Sequence, residues 1–127
     1  MTEKLFSGID LVEIARFREL DPNILKRFYA RVFTPQEQAY IGASFERAAG
    51  IFAAKEALVK ALGCGIGLVT WQEVGISYDA QGKPLPVLTG SAKAAEQALG
   101  INSWSISISH TRSSAVAVAV AISSSSD

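Results

Sequence analysis

The feature that most constrains this fold is the segment Phe45–Leu62, which has the length and composition of a helix that is apolar on nearly all sides. Such a helix is buried, because no face of it gains from contact with water. The segment ends at Gly63, a residue type that favours the left-handed conformation just after a helix. In a chain of 127 residues, 49% of them apolar, we expect one central helix covered by the rest of a single domain.

Two segments near the carboxyl end have the residue pattern of strands. From Trp104 to Ser109, apolar residues alternate with serine, which predicts a strand with one buried face. From Ala115 to Ile122, small and branched apolar residues alternate, so we expect a strand that is covered on both faces. The other predicted strands are Leu5–Ile9, Val74–Tyr78 and Pro84–Leu88, the last two joined by a turn at 79–82.

Capping residues place the remaining helices. Asp21 followed by proline suits a helix start, Thr34 with Glu37 three residues later forms a capping box, and Thr89 is a further N-cap candidate. The predicted helices with their caps are residues 11–20, 21–32, 34–41 and 89–99. The fold prediction is α+β, with an antiparallel sheet packed against a few helices. One domain covers residues 1–122, and a frayed tail covers 123–127.

Composition argues against several classes of partner. Twelve basic and twelve acidic residues give no net charge, so the bulk charge does not indicate nucleic-acid binding. No apolar run reaches the roughly 20 residues of a membrane span, and the first residues lack the apolar run of a signal peptide. The single cysteine, Cys64, cannot form a disulfide within the chain. We expect a cytoplasmic protein with no nucleic-acid and no membrane partner.

Glu56 is the polar residue that best indicates function. On a helical wheel of 3.6 residues per turn it shares a stripe with Phe52 and Val59, and Lys60 follows one turn later on nearly the same side. A glutamate and a lysine four residues apart commonly form an exposed surface pair. The apolar stripe favours a functional interpretation, because a buried carboxylate needs a partner or a metal ion.

Two further candidates lie where predicted strands end. Asp10 follows the first strand, at a place where loops present ligands, and it could equally be the N-cap of the next helix. His110, the only histidine, follows the alternating strand and could be structural. Its neighbours Ser109, Thr111 and Ser113 carry hydroxyl groups suited to phosphate.

Taken together, these segments resemble the small single-domain 4'-phosphopantetheinyl transferases called holo-acyl-carrier-protein synthases. The most specific part is Phe52-Ala-Ala-Lys-Glu56-Ala together with Lys60. The matching segments are residues 8–16, 26–28, 31–34, 52–61, 63–67, 82–84 and 107–111, in the order and spacing of the family.

The resemblance implies a magnesium-dependent enzyme that moves 4'-phosphopantetheine from coenzyme A to a serine of an apo acyl carrier protein and releases adenosine 3',5'-bisphosphate. It also implies a homotrimer with active sites at the boundaries between subunits. Asp10 and Glu56 would hold Mg²⁺ together with the pyrophosphate of coenzyme A, which agrees with the preference of Mg²⁺ for carboxylates and phosphates. The resemblance leaves open whether the carrier serves fatty-acid, polyketide or peptide synthesis.

The same resemblance implies roles for other residues. Lys60 would be the cation at the pyrophosphate, with Lys55 as a second candidate, and His110 would approach the phosphates from a neighbouring subunit. The base that deprotonates the serine stays open between Glu56, His110 and a water on the metal. The implied catalytic residues are Glu56, Lys60 and His110, and the implied cofactor contacts are Lys55, Lys60, Gly63, Gly65, Ser109, His110 and Thr111.

Three arginines are candidates for docking the carrier. Carrier proteins are generally acidic, so an enzyme with no net charge would meet them with a local basic patch formed by Arg16, Arg27 and Arg31. One position departs from the family. Many members have a basic residue where this chain has Ile51, so the resemblance implies that this position faces the phosphate pocket. The phosphate contact would be missing here, and Arg47, one helical turn earlier, could replace it.

Two other classes of function compete with this interpretation. A non-catalytic trimeric binding protein could keep the fold, although the presence of Asp10, Glu56 and Lys60 argues against it. Another magnesium-dependent enzyme, such as a nucleotide pyrophosphohydrolase, would usually show more than two clustered carboxylates, and this sequence does not.

Overall fold

A three-stranded antiparallel sheet packs against the long helix, and a two-stranded sheet and four shorter helices complete the fold. The computed structural model describes residues 2–125. Its larger sheet has the strand order β1-β5-β4, and the smaller one pairs β2 with β3. The elements are β1 Thr2–Glu13, α1 Ala15–Arg18, α2 Pro22–Val32, α3 Pro35–Ile41, α4 Phe45–Leu62, a 3-10 turn Trp71–Glu73, β2 Val74–Tyr78, β3 Pro84–Leu88, α5 Gly90–Leu99, β4 Ile101–His110 and β5 Ser114–Ser125.

Helix α4 is the centre of the core, as its composition predicts. Most of its residues are buried, including a series of alanines that lets the sheet come close. A Cβ atom on Gly8 would lie 2.0 Å from the carbonyl oxygen of Ala57, so only glycine allows β1 to cross α4 at this point. Towards the other end of the helix, a Cβ atom on Gly50 would lie 3.1 Å from the side chain of Ile108 on β4. The helix therefore crosses the sheet from β4 towards β1.

The two faces of β5 have different surroundings. Its alanines, such as Ala117 and Ala119, are buried against the core, because small side chains fit between the sheet and the helix. Its branched residues point to the opposite side, which we call the outer face. In the single chain the outer face is largely open, so the predicted cover on the second face of β5 would have to come from another chain. The exposed large apolar residues of the outer face are Leu5, Ile9, Leu11 and Val120.

Strand β1 is much longer than predicted. Its pairing with β5 continues through Leu11 to Glu13, so the predicted helix over residues 11–20 is wrong except for Ala15–Arg18. Asp10 therefore lies within the strand and not at its end. Long-range pairing with β5 overrides the helical spacing of the apolar residues, which is only a local preference.

The predicted ends of the other elements agree with the structure in most places. Asp21 caps α2, and Thr34 and Glu37 form the capping box of α3, whereas the Thr89 side chain makes no cap hydrogen bond. The predicted tail is wrong for residues 123–125, which continue β5 and pair with β1. Residues 126 and 127 lie outside the described residues. Between residues 2 and 125, no helix is long and apolar enough to cross a membrane.

Candidate active site

The structure brings Asp10, Glu56 and Lys60 together at the crossing of β1 and α4. The ammonium group of Lys60 donates hydrogen bonds to the Asp10 Oδ1 atom at 3.1 Å and to the Ile9 carbonyl oxygen at 2.9 Å. Glu56 lies one helical turn before Lys60, on the side of α4 that faces Asp10. The close crossing at Gly8, two residues before Asp10, sets the distance between strand and helix.

The electrostatics of Glu56 show that two negative charges share this site. Burial raises the pKa of Glu56, and the negative charge of Asp10 raises it further. The positive charges of Lys60 and Arg16 offset part of this rise in pKa. Two carboxylates held near each other favour a cation between them.

These donors fit a magnesium ion that also binds a phosphate ligand. Mg²⁺ prefers oxygen donors and usually takes one or two carboxylates from the protein together with substrate phosphates. Among residues 2–125 no group of three or more His, Cys, Asp or Glu side chains has the arrangement of a metal site. Asp10 and Glu56 alone therefore suit a metal that a phosphate helps to hold.

Lys55 lies elsewhere, and its expected contact with a phosphate disagrees with the structure. Its side chain is 0% exposed and its ammonium group lies 2.8 Å from the Glu37 Oε1 atom, whose side chain is also 0% exposed. Neighbouring positions on a helix point about 100° apart, so Lys55 faces the interior when Glu56 faces β1. A lysine enclosed in this way has no path to a bound pyrophosphate.

Glu37 is a buried residue whose wider role the sequence did not indicate. Besides its contact with Lys55, it accepts hydrogen bonds from the backbone N–H groups of Thr34 at 2.9 Å and Ile76 at 2.7 Å. It therefore joins α3, α4 and β2. The capping box accounts for Thr34, but no local pattern links Glu37 to a lysine 18 positions later.

His110 lies away from this site, in a cavity of about 500 Å³ at the amino end of α4, which we call the second cavity. Arg47 is nine residues before Glu56, which corresponds to about 13 Å along the helix axis. The structure therefore does not bring His110 to the two carboxylates within one chain. The cavity is lined by Ser44, Glu46, Arg47, His110, Thr111 and Arg112.

Ser109 and Thr111, the neighbours of His110, lie in different surroundings. Ser109 pairs with Val116 and lies on the outer face, on the opposite side of the strand from His110. The Thr111 hydroxyl group accepts hydrogen bonds from the backbone N–H groups of Ser113 at 3.2 Å and Ser114 at 3.1 Å, so it stabilises the turn between β4 and β5.

The glycine loop after α4 begins close to Lys60. Gly63 ends the helix in the left-handed conformation, with a φ of 73°, and its N–H group binds the Lys60 carbonyl oxygen at 3.1 Å. Apart from the adjacent residues in the chain, no atom lies within 4 Å of a Cβ atom placed on Gly63 or on Gly65. The loop backbone is therefore open on the side where side chains would project.

Ile51 does not face a phosphate pocket, which corrects the expectation for this position. Its side chain is 0% exposed and belongs to the core. Arg47 lies at the second cavity, where it donates a hydrogen bond to the Tyr40 carbonyl oxygen at 2.9 Å and its guanidinium group lies 4.7 Å from the Tyr40 ring centre.

Arg16 lies beside a separate apolar cavity of about 230 Å³. It is exposed, and it is also close enough to Glu56 for its charge to offset part of the rise in the pKa of that carboxyl group. Arg27 and Arg31 are exposed on α2 and line a neighbouring shallow cavity with Ile24 and Phe28. The cavity beside Arg16 is lined by Val12, Arg16, Phe17, Leu20, Ile24, Phe28 and Phe52.

Comparison with known proteins agrees with this arrangement. The family model of the 4'-phosphopantetheinyl transferase superfamily matches residues 7–121. The holo-[acyl-carrier-protein] synthase of Moorella thermoacetica is 41% identical over 109 residues, which cover 82% of this chain and 83% of that protein. The enzyme of the same name from Solidesulfovibrio magneticus is 45% identical over 103 residues, which cover 80% of this chain and 84% of that protein.

A solved structure of a related enzyme has the same fold. The crystal structure of Helicobacter pylori holo-[acyl-carrier-protein] synthase in complex with coenzyme A matches with a TM-score of 0.81 and 34% identity. The match covers 91% of this chain and 98% of that chain. The chain therefore belongs to the 4'-phosphopantetheinyl transferase superfamily, and within it to the holo-[acyl-carrier-protein] synthases, a family of transferases. The resemblance inferred from the motifs and the α+β fold are both confirmed.

Proposed function

We propose that this chain transfers 4'-phosphopantetheine from coenzyme A to a serine of an apo acyl carrier protein, depends on Mg²⁺ and releases adenosine 3',5'-bisphosphate. The observation that carries the proposal is the meeting of Asp10, Glu56 and Lys60 at one crossing of strand and helix. The single cysteine, Cys64, is a free thiol, which fits the reducing cytoplasm as the place of the reaction.

The proposed reaction exchanges one phosphorus–oxygen bond for another. The carrier serine oxygen forms a bond to the β-phosphorus of coenzyme A, and the bond from that phosphorus to the bridging oxygen breaks, so adenosine 3',5'-bisphosphate leaves. Asp10 and Glu56 would hold Mg²⁺, which supplies charge neutralisation at the pyrophosphate. Lys60 has a half-exposed side chain at the same place, and its ammonium group can add a second positive charge.

The serine must lose its proton during this step. Of the two side chains that could accept the proton, Glu56 lies beside Asp10, whereas His110 lies in the second cavity of the same chain. Within one chain, Glu56 is therefore the better-placed acceptor. His110 and Arg47 together offer positive or hydrogen-bonding groups for the phosphates of coenzyme A that do not react.

We further propose a homotrimer, in which neighbouring chains cover the outer face of the sheet. Leu5, Ile9 and Leu11 are 76%, 61% and 67% exposed in the single chain, an unfavourable arrangement for one strand of a small domain. A neighbouring chain on this face could also bring its second cavity to the carboxylates. An active monomer in sedimentation at micromolar concentration would contradict the trimer.

Carrier docking is proposed at the surface formed by α1 and α2. Arg16, Arg27 and Arg31 supply exposed positive charge, and the apolar cavity beside Arg16 offers a place for an apolar side chain. Acidic carriers match this combination, because an interface of this kind uses charge for orientation and an apolar pocket for affinity.

The experiment that tests the function is mass spectrometry of an apo carrier protein incubated with this protein, Mg²⁺ and coenzyme A. A mass gain of one phosphopantetheine on the carrier serine is the expected result, and omission of Mg²⁺ should prevent it. Hydrolysis of coenzyme A without modification of the carrier would indicate a pyrophosphohydrolase. Binding of coenzyme A with no chemical change would indicate a protein that keeps the fold without turnover.

A further inference from the structure

The ammonium group of Lys60 is bound to Asp10, one of the two carboxylates that would hold the proposed metal ion. It donates hydrogen bonds to Asp10 Oδ1 at 3.1 Å and to the carbonyl oxygen of Ile9 at 2.9 Å, so both of its protein partners lie on β1. The Lys60 side chain is 51% exposed and that of Asp10 is 18% exposed. This ion pair is therefore open to water on the lysine side and enclosed on the aspartate side.

A divalent cation and this ammonium group compete for the same oxygen atoms. Two positive charges within about 4 Å of each other repel, and the repulsion is only partly screened at a half-enclosed site. A metal ion that arrives alone must therefore displace Lys60 or bind beside it at a cost. In both cases Lys60 weakens the binding of the metal ion alone.

Lys60 can leave Asp10 when another anion is present. Its side chain is long and flexible, and it lines an open cavity of about 470 Å³ with Ser7, Gly8, Ile9 and Val118. A pyrophosphate group offers several oxygen acceptors to an ammonium group, and it also adds ligands for the metal ion. The pyrophosphate group would therefore draw Lys60 away from Asp10 and would also complete the set of metal ligands.

We propose that Lys60 couples the binding of the metal ion to the binding of coenzyme A, by holding Asp10 when coenzyme A is absent and moving to the pyrophosphate when it binds. The proposal rests on the assignment of Asp10 and Glu56 as metal ligands in the proposed function. Because coupling between two ligands is reciprocal, the metal ion must strengthen coenzyme A binding by the same factor. The coupling prevents tight occupation of the carboxylates by a metal ion before the substrate arrives.

The test measures the binding of Mn²⁺, a spectroscopic substitute for Mg²⁺, by the electron paramagnetic resonance signal of the free ion. Wild type, Lys60→Met and Lys60→Gln are titrated with Mn²⁺ alone and in the presence of coenzyme A without carrier protein. Binding of Mn²⁺ to coenzyme A in solution is measured separately and subtracted. Both variants should bind Mn²⁺ alone about fivefold more tightly than wild type, the size expected for removing one partly exposed ion pair.

The second expected result concerns the effect of coenzyme A. It should tighten Mn²⁺ binding less in the variants than in wild type, because the variants have no competitor to remove. Lys93→Met is the matched control, since Lys93 forms an ion pair with Glu96 at 2.7 Å with side-chain exposures of 51% and 12%, far along the chain from the site. This control should bind Mn²⁺ as wild type does, with and without coenzyme A.

Several outcomes would overturn the proposal, and they separate it from the proposed function. If Lys60→Met and Lys60→Gln bind Mn²⁺ alone no more tightly than wild type, while wild type still transfers phosphopantetheine, the coupling role is wrong and the function stands. An equal gain in Lys93→Met would show a general charge effect and would also overturn it. If Asp10→Ala binds Mn²⁺ as wild type does in the presence of coenzyme A, the metal assignment fails and the coupling role fails with it.

Discussion

Lys55 and Lys60 lie on the same helix and each contacts a carboxylate, at 2.8 Å and 3.1 Å, but the two ion pairs differ in how deeply they are buried. The pair of Lys55 with Glu37 is enclosed on both sides, and Glu37 also binds two backbone N–H groups. The pair of Lys60 with Asp10 is half open to water. One pair holds three elements of the fold together, and the other can exchange its partners.

The difference shows how burial separates a charge that holds the fold together from one that can change its partner. Burial lowers the pKa of Lys55, and the nearby Glu37 carboxylate raises it back only in part. Breaking a buried pair leaves an uncompensated charge in the interior, which is strongly destabilising. An exposed pair has little net free energy, so its lysine can move to a ligand at little cost.

The largest expected effect comes from removing either carboxylate of the proposed metal site. Asp10→Ala and Glu56→Ala should each lower the rate of phosphopantetheine transfer by at least about 10²-fold, because the charge of the reacting pyrophosphate would lose its metal ion. Thermal unfolding should show that the fold survives, since neither change leaves a buried charge without a partner. Glu13→Ala, an exposed carboxylate on the same strand, is the control and should keep normal turnover. Near-normal turnover of either variant at low Mg²⁺ would show that the metal assignment is wrong.

A charge without a partner, placed in the core at position 51, should have the next largest effect. Ile51→Arg introduces a guanidinium group where the side chain is fully enclosed, so we expect a loss of about 4 kcal/mol or more in the free energy of unfolding. Chemical denaturation measures this loss, with Ile51→Val as a control that should lose only about 1 kcal/mol. A folded Ile51→Arg protein that binds coenzyme A more tightly would restore the idea that this position faces the phosphates.

Matched substitutions of the two lysines test the comparison directly. Lys55→Met should lower the free energy of unfolding by about 3–5 kcal/mol, because Glu37 then remains buried without its cation. Lys60→Met should change it by no more than about 1 kcal/mol. Addition of Glu37→Gln to Lys55→Met should recover part of the loss, since the amide oxygen can still accept a backbone hydrogen bond. Equal losses for the two single variants in urea denaturation would contradict the distinction.

The smallest expected effect concerns Arg16, at the edge of the candidate active site. Arg16→Ala should raise the KM for carrier protein about threefold to tenfold and flatten its dependence on salt, because exposed charges act mainly on encounter. Affinity for coenzyme A should stay nearly unchanged. Arg18→Ala is the control on the same short helix, where Arg18 lies 3.8 Å from Glu46. Weaker coenzyme A binding in Arg16→Ala would place Arg16 in the cofactor pocket and not on the docking surface.

The sequence by itself determined the features that depend on local interactions. Asp21 and the pair Thr34–Glu37 cap their helices as predicted, and the bounds of α4 follow from its apolar composition and from Gly63. The motifs also identified the family and placed Asp10, Glu56 and Lys60 among the site residues, and the structure brings these three together. Their roles in metal and phosphate binding stay predictions.

Only the tertiary structure decided which direction each side chain faces and which distant segment it meets. Lys55 and Lys60 belong to one motif, yet Lys55 points at a glutamate from α3 and Lys60 at an aspartate from β1. Asp10 lies inside a strand because β5, more than 100 positions later, pairs with β1 along its whole length. Local preferences amount to a fraction of a kcal/mol per residue, whereas sheet pairing and burial act on whole elements at once and therefore override them.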